Sequence, residues 1–205
     1  MPSTALQPGH FYHIYNRGNN GENVFIEEQN YRYFLQLYTR YIHPVTDTFA
    51  YCLLRNHFHF LVRIRTAHRI EETSQVSETC EVLTSRNVSQ HFSNLFNAYA
   101  KAINKSYGRT GSLFEERFER LEVYTNDHFI RLIHYIHFNP QKHRFVADFR
   151  EWPWTSYHAL ASPGKTNLNR SEVIDWFGDE TNFVSMHHNK VDEVAIRALV
   201  ANDLD

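Results

Sequence analysis

Apolar and polar positions along this chain alternate in patterns that predict strands and helices in turn. The aromatic stretch His10–Asn16 predicts a first strand that ends in turn-forming residues. Apolar residues at three- and four-residue intervals between Glu27 and Ile42 predict a helix. The remaining predicted elements are strands at Phe49–Leu54 and His57–Arg65, a helix at Gln90–Ser106, a strand or bent pair at Ser112–Tyr124 and a helix at His128–Asn139.

This order of elements predicts an α+β fold, an antiparallel sheet with helices packed mainly on one face. Residues 1–150 are assigned to one domain, in which the polar stretch 66–89 is a mobile insertion. Residues 151–205 are expected to be a small C-terminal extension packed on the same domain. Asp127 is predicted to cap the last helix of the domain, and Pro140 is predicted to end it.

The stretch NHFHFLVRI, residues 56–64, contains two histidines that alternate with two phenylalanines. Because successive side chains of a strand point to opposite faces, Phe58 and Phe60 share an apolar face. His57 and His59 share the other face. This alternation fits a polar sheet surface or a pair of hydrogen-bonded histidines, and it also fits half of a metal site.

Tyr135 and Asn139 lie four residues apart on the last predicted helix and therefore project from one face. If this helix covers the histidine face, two imidazoles and an amide oxygen would form an open metal site. A tyrosine one turn away would then be placed to attack a metal-bound phosphate. Each residue also has a purely structural explanation, since Tyr135 fits a buried core tyrosine and Asn139 a helix stop before Pro140.

Composition and charge add one local feature to this prediction, a possible basic surface. The formal net charge of −2 gives no global sign of nucleic-acid binding, but residues 1–66 carry six basic and four acidic side chains, and residues 101–150 carry nine and six. We therefore expect a modest basic surface where these blocks meet, with a solvated mixed-charge surface as the alternative. Cys52 and Cys80 have no CxxC spacing and predict free thiols in a reducing cytoplasm.

Five stretches of the chain together resemble a known family. They are, in order, YHIYNRGNNGENVF, RNHFHFLV, YGRTGSLFEERFE, YIHFNPQKHRFV and WPWTSYHAL. Their combination resembles the single-tyrosine HUH transposases, most closely the REP-associated tyrosine transposase branch. The resemblance implies a ferredoxin-like antiparallel sheet, His57, His59 and Asn139 as metal ligands, and Tyr135 as the nucleophile. The implied ion is Mg²⁺ or Mn²⁺, and His137 is the next ligand candidate.

The resemblance also implies an activity, the nicking and rejoining of DNA at hairpin sites through a covalent 5′-phosphotyrosine. The expected partner is single-stranded or hairpin DNA, with no membrane, and we expect a cytoplasmic monomer or homodimer. A hairpin-binding regulator without catalysis and a phosphodiesterase that uses water are the alternatives. Phosphate contacts are expected from basic residues in or beside the two net-positive blocks, with Arg117 ranked first: Arg63, Arg65, Lys101, Lys105, Arg109, Arg117 and Arg120.

Overall fold

The computed structural model describes residues 5–66 and 85–189. This part of the chain contains one four-stranded antiparallel sheet. Its strands are β1 (Phe11–Arg17), β2 (Thr46–Leu53), β3 (His57–Ile64) and β4 (Glu119–Val123). They lie in the order β2-β3-β1-β4.

Two helices connect these strands in ferredoxin-like fashion. Helix α1 (Glu28–Tyr41) lies between β1 and β2, and helix α2 (Ser85–Tyr107) lies between β3 and β4. The chain then continues through α3 (Asn126–Lys142), α4 (Tyr157–Leu160), α5 (Arg170–Phe177) and α6 (Glu180–His188). The β-α-β-β-α-β order and the antiparallel sheet confirm the predicted α+β fold. Within the described ranges, no helix is long and apolar enough to cross a bilayer.

The Phe58 face of the sheet packs against α1 and α2. The ring of Phe34 in α1 lies 5.3 Å from that of Phe58, and Phe96 in α2 lies 5.5 Å from it on another side. Tyr38 of α1 stacks on Phe60 at 4.3 Å. Phe58 is completely buried by these contacts, as the strand alternation predicts for an apolar face.

The histidine face of the sheet is covered by α3 and α5. Phe129 in α3 contacts Phe11 of β1 at a ring distance of 4.5 Å, and Trp176 in α5 stacks on Phe49 at 5.0 Å. Trp176 and Phe129 also stack on each other at 4.4 Å. Both faces of the sheet are therefore buried, and β3 can hold polar side chains away from solvent.

Helix α2 begins at Ser85 rather than near the predicted Gln90. The reason is Val88, which is fully buried and extends the apolar stripe of Phe92 and Leu95 by one turn. The end of the predicted insertion is therefore helical, and residues 67–84, with Cys80, lie outside the described residues.

Cys52 is a buried free cysteine. Within the range 112–124, where a strand or bent pair was predicted, the structure has the strand β4 at Glu119–Val123.

Both predicted ends of α3 were wrong. The cap is Thr125, whose hydroxyl accepts a hydrogen bond from the His128 amide, whereas Asp127 forms an ion pair with Arg131 at 2.7 Å. Pro140 lies inside the helix, which continues to Lys142. Pro140 has no N–H to donate within the helix, but the amide of His143 still donates to the Asn139 carbonyl at 2.9 Å and closes the last turn.

The described part of the C-terminal segment packs directly on the sheet. The indole nitrogen of Trp152 donates to the Leu53 carbonyl at 2.8 Å, and the Tyr51 amide donates to the Ser156 hydroxyl at 2.8 Å. These bonds attach the segment to the edge strand β2. The assignment of residues 151–205 as an extension of one domain remains a prediction. An extension packed on the domain requires contacts of this kind with the sheet.

Candidate functional site

His57 and His59 project from β3 into the layer between the sheet and α3. Their ring centroids lie 5.1 Å apart, and the rings are nearly perpendicular. His59 is completely buried and His57 is 9% exposed. Their burial excludes the polar-surface explanation of the sequence pattern, because a solvated sheet face would expose both imidazoles.

Helix α3 and the residue that caps its C-terminus, His143, present a stripe of three residues to this pair. Tyr135, Asn139 and His143 follow one another at four-residue intervals, which places them on one side of the helix. The Tyr135 ring lies 5.9 Å from the His59 ring, and the His143 ring lies 4.8 Å from the His57 ring. Asn139 lies between Tyr135 and His143 in this stripe and is completely buried.

The amide of Asn139 has an unsatisfied oxygen. Its Nδ2 donates to the Tyr135 carbonyl at 3.0 Å, whereas its Oδ1 is buried and has no hydrogen-bond partner. Buried acceptors are normally paired, so an oxygen in this position fits a cation ligand. No cluster of three or more His, Cys, Asp or Glu side chains in the described ranges is arranged to hold a metal. A divalent-ion site here therefore depends on Asn139.

The electrostatic environment keeps both histidines neutral. Burial lowers the pKa of His57 well below its usual value, and the proximity of other groups that can carry positive charge lowers it further: His59, His143, Lys142 and Arg17. Burial, followed by His143 and Lys142, has the same effect on the pKa of His59. A neutral imidazole has a nitrogen lone pair, which is the form that binds metals.

Lys142 contacts the tyrosine hydroxyl. Its Nζ donates a hydrogen bond to Tyr135 Oη at 3.2 Å and lies 4.8 Å from the centre of the phenol ring. The sequence interpretation missed this residue because Pro140 was expected to end the helix. The seven-residue spacing, which returns to the same helix face after two turns, was the available signal.

The residues predicted to contact phosphate occupy three different environments. Lys101, Lys105 and Arg117 are exposed. Arg109 forms an ion pair with Glu22, and Arg120 packs over the Phe118 ring at 4.2 Å.

Arg63 and Arg65 do not join the exposed group. Arg63 binds Asp47 at 3.0 Å and Glu172 at 2.8 Å, and Arg65 binds Asp47 at 3.0 Å. Both side chains are at least four-fifths buried in this network, and their contact with phosphate remains a prediction. One basic residue near the histidine pair was not named among the predicted phosphate contacts. This residue is Arg17, which lies opposite His57 in the sheet register. The Nε of Arg17 donates to Glu115 at 2.7 Å.

His137 points away from the candidate site. It lies on the opposite side of α3 from Tyr135, and its Nδ1 is 2.8 Å from Nε2 of His187 in α6. Its Nε2 is 2.7 Å from the Ser156 hydroxyl. The expectation that His137 is the next ligand candidate was therefore wrong, because α3 turns this ring into the C-terminal helices.

The fold and the candidate site together define a class of proteins. Its members are ferredoxin-like α+β proteins in which a histidine pair on a central strand faces a tyrosine on a helix. Within that class, the chain resembles the REP-associated tyrosine transposases. It is 25% identical over 126 residues to "Putative REP-associated tyrosine transposase" of Haemophilus influenzae. The match covers 57% of this chain and 61% of that relative.

A solved structure supports the same resemblance. The structure of a REP-associated tyrosine transposase bound to a REP hairpin matches 80% of this chain and 86% of its own, with a TM-score of 0.58 and 14% identity. At that identity the likeness shows the fold. No family model matches the chain. The resemblance expected from the five sequence stretches is confirmed by both comparisons.

Proposed function

We propose that this protein is a tyrosine transposase that nicks and rejoins single-stranded DNA at hairpin sites with the help of a divalent metal. The observation that carries the proposal is the stripe of Tyr135 and Asn139 opposite His59 and His57. The name of the Haemophilus relative and the REP hairpin bound in the solved structure support hairpin DNA as the partner.

His57, His59 and Asn139 are the residues that would hold the ion, and two imidazoles with one amide oxygen form a donor set of mixed hardness that leaves room for further oxygen ligands. Mg²⁺ or Mn²⁺ is the ion that the family resemblance implies. When bound, such an ion polarises a phosphate oxygen and so makes the phosphorus easier to attack. Neutral imidazoles are already available at pH 7, because burial holds the pKa of both histidines low.

Tyr135 would perform the covalent step. Its Oη forms a bond to the scissile phosphorus and the bond from phosphorus to the 3′-oxygen breaks. The phenolic proton is lost and the leaving 3′-oxygen gains a proton, so a 5′-phosphotyrosine and a free 3′-hydroxyl result. The reverse attack by a 3′-hydroxyl rejoins the strands.

Lys142 would stabilise the charge on the reacting oxygen. Its ammonium lies within hydrogen-bond distance of Tyr135 Oη, where negative charge develops as the proton leaves. The same charge returns to this oxygen when the phosphotyrosine is cleaved during rejoining. Lys142 would therefore serve both directions of the reaction.

A second candidate function is a hairpin-binding regulator without catalysis. It is favoured by the burial of Tyr135, whose side chain is only 2% exposed beneath Lys142. A phosphate reaches the hydroxyl only if the end of α3 or the Lys142 side chain moves. Binding of a hairpin to the exposed basic residues requires no such movement.

The test is incubation of the protein with an end-labelled hairpin DNA and Mg²⁺ or Mn²⁺, followed by denaturing electrophoresis. We expect a covalent adduct that is absent in Tyr135→Phe and retained in Tyr124→Phe, a matched change at a tyrosine that is 75% exposed. Binding without cleavage by the wild type supports the regulator. Cleavage that persists in Tyr135→Phe supports a phosphodiesterase that uses water and contradicts the proposal.

A further inference from the structure

A third histidine lies behind the candidate metal ligands. His13 projects from β1 toward the same face of the sheet as His59 and is completely buried. Its Nε2 lies 3.1 Å from Nδ1 of His59, and the two rings are stacked, with centroids 5.2 Å apart and an angle of 23° between their planes. His13 thus contacts a ligand candidate that Tyr135 also approaches.

The proton in this contact decides whether His59 can bind a metal. Charging an imidazole at a fully buried position is costly, so each ring carries a single N–H. If His59 donates from Nδ1, its Nε2 keeps a lone pair for a metal. If His13 donates instead, the proton of His59 is on Nε2, and that nitrogen is blocked.

The neighbouring ligand candidate supports the first arrangement by analogy. Nδ1 of His57 lies 2.8 Å from Oδ1 of Asn56, and an amide oxygen only accepts hydrogen bonds. His57 therefore donates from Nδ1 and keeps its lone pair on Nε2. The same arrangement in His59 gives two imidazoles that present equivalent nitrogens.

We propose that His13 is a positioning residue for the metal site, which accepts the Nδ1–H of His59 and thereby keeps the Nε2 of His59 ready to bind the ion. The inference rests on the proposed function, since it assigns a purpose to His59 as a ligand. His13 acts through His59 in two ways, because the hydrogen bond fixes both the position of the proton and the orientation of the ring.

The first experiment measures the tautomer in the absence of metal. The full-length protein is labelled with ¹⁵N-histidine, and long-range ¹H–¹⁵N spectra are recorded, with His59→Gln used to assign the His59 signals. We expect His59 in the Nδ1–H form. A His59 ring protonated on Nε2 in the metal-free protein overturns the inference without reference to DNA or activity.

The second experiment measures Mn²⁺ affinity by electron paramagnetic resonance. His13→Phe keeps a ring but removes the acceptor, and we expect Mn²⁺ to bind about 10- to 100-fold more weakly. His13→Gln, whose side-chain oxygen can accept the same hydrogen bond, should recover most of the affinity. His10→Phe changes a histidine just before β1 whose side chain is 45% exposed, and it should bind Mn²⁺ as the wild type does.

Two failures can be told apart. If the wild type binds Mn²⁺ and a folded His13→Phe binds it equally well, the role of His13 is refuted and the proposed function stands. If the wild type binds no Mn²⁺, the metal requirement of the proposed function fails together with this inference. Should His13→Phe not fold, the tautomer of the wild type and the affinity of His13→Gln still decide the question.

Discussion

Acidification from pH 7 to pH 5 should destabilise the protein through the histidines packed between α3 and α6. His187 donates from Nδ1 to the Phe183 carbonyl at 2.7 Å, and its Nε2 accepts from Nδ1 of His137. His134 stands beside His187 with a ring distance of 5.1 Å. Burial lowers the pKa of His187 to about 3 and that of His134 to about 4.

The sign and size of the effect follow from these pKa values. An unfolded histidine titrates near pH 6.5, so below about that pH the unfolded state binds protons that the folded state does not accept. Stability is therefore fully present above this pH and decreases as the pH falls toward the folded pKa. Between pH 7 and pH 5 the loss is about 2 kcal/mol for each group, or about 4 kcal/mol for His134 and His187 together.

The assay is urea unfolding followed by circular dichroism at pH 7 and pH 5, because a loss of about 4 kcal/mol is a large part of the 5–15 kcal/mol typical of a domain. His187→Phe removes one titrating group. This variant should be less stable at pH 7, since His137 loses its acceptor, yet its further loss at pH 5 should be about 2 kcal/mol smaller than in the wild type.

A matched control separates titration from packing. Phe183 lies 4.3 Å from the His187 ring and does not titrate, so Phe183→Leu should lower stability at both pH values and retain the wild-type pH dependence. If His187→Phe shows the same loss between pH 7 and pH 5 as the wild type, the buried neutral histidine does not contribute to acid sensitivity and the reasoning is refuted.

Three further predictions concern the site, the DNA and the core. Lys142→Met should slow adduct formation in single-turnover assays by about 100-fold, and Lys142→Arg should retain more activity because it keeps a cationic donor. Arg117→Ala should weaken hairpin binding and reduce the slope of log affinity against log salt by about 1, as expected for one lost phosphate contact. Phe58→Ala should cost about 3–5 kcal/mol in urea unfolding, since the ring is completely buried between α1 and α2. Equal adduct rates in Lys142→Met, an unchanged salt slope in Arg117→Ala, or a loss below 1 kcal/mol in Phe58→Ala would each contradict the corresponding argument.

Local periodicity was sufficient to predict the strand that carries the histidine pair. The alternation in residues 57–64 separates Phe58 from His59, and the structure packs these side chains on opposite sides of the sheet. The helical spacing of Tyr135 and Asn139 likewise predicted one face of α3. These features depend only on neighbours in the sequence and on the geometry of one element.

Contacts between distant segments could not be predicted in the same way. Arg63 and Arg65 were assigned to DNA because of local charge, but Asp47 of β2 lies opposite Arg63 in the sheet register and binds both. The contact of His13 with His59 also depends on strand pairing across 46 positions. Lys142 was missed for a different reason, since Pro140 was expected to end α3 and the helix continues through it to Lys142.

Helix α3 contacts the candidate site on one side and the C-terminal helices on the other. One side holds Tyr135 against the histidine pair, and the opposite side carries His137 into α6. We therefore expect a change that displaces α3 on its α6 side to displace Tyr135 as well. Substitutions in the C-terminal segment would thus be limited by the position that Tyr135 requires as well as by folding.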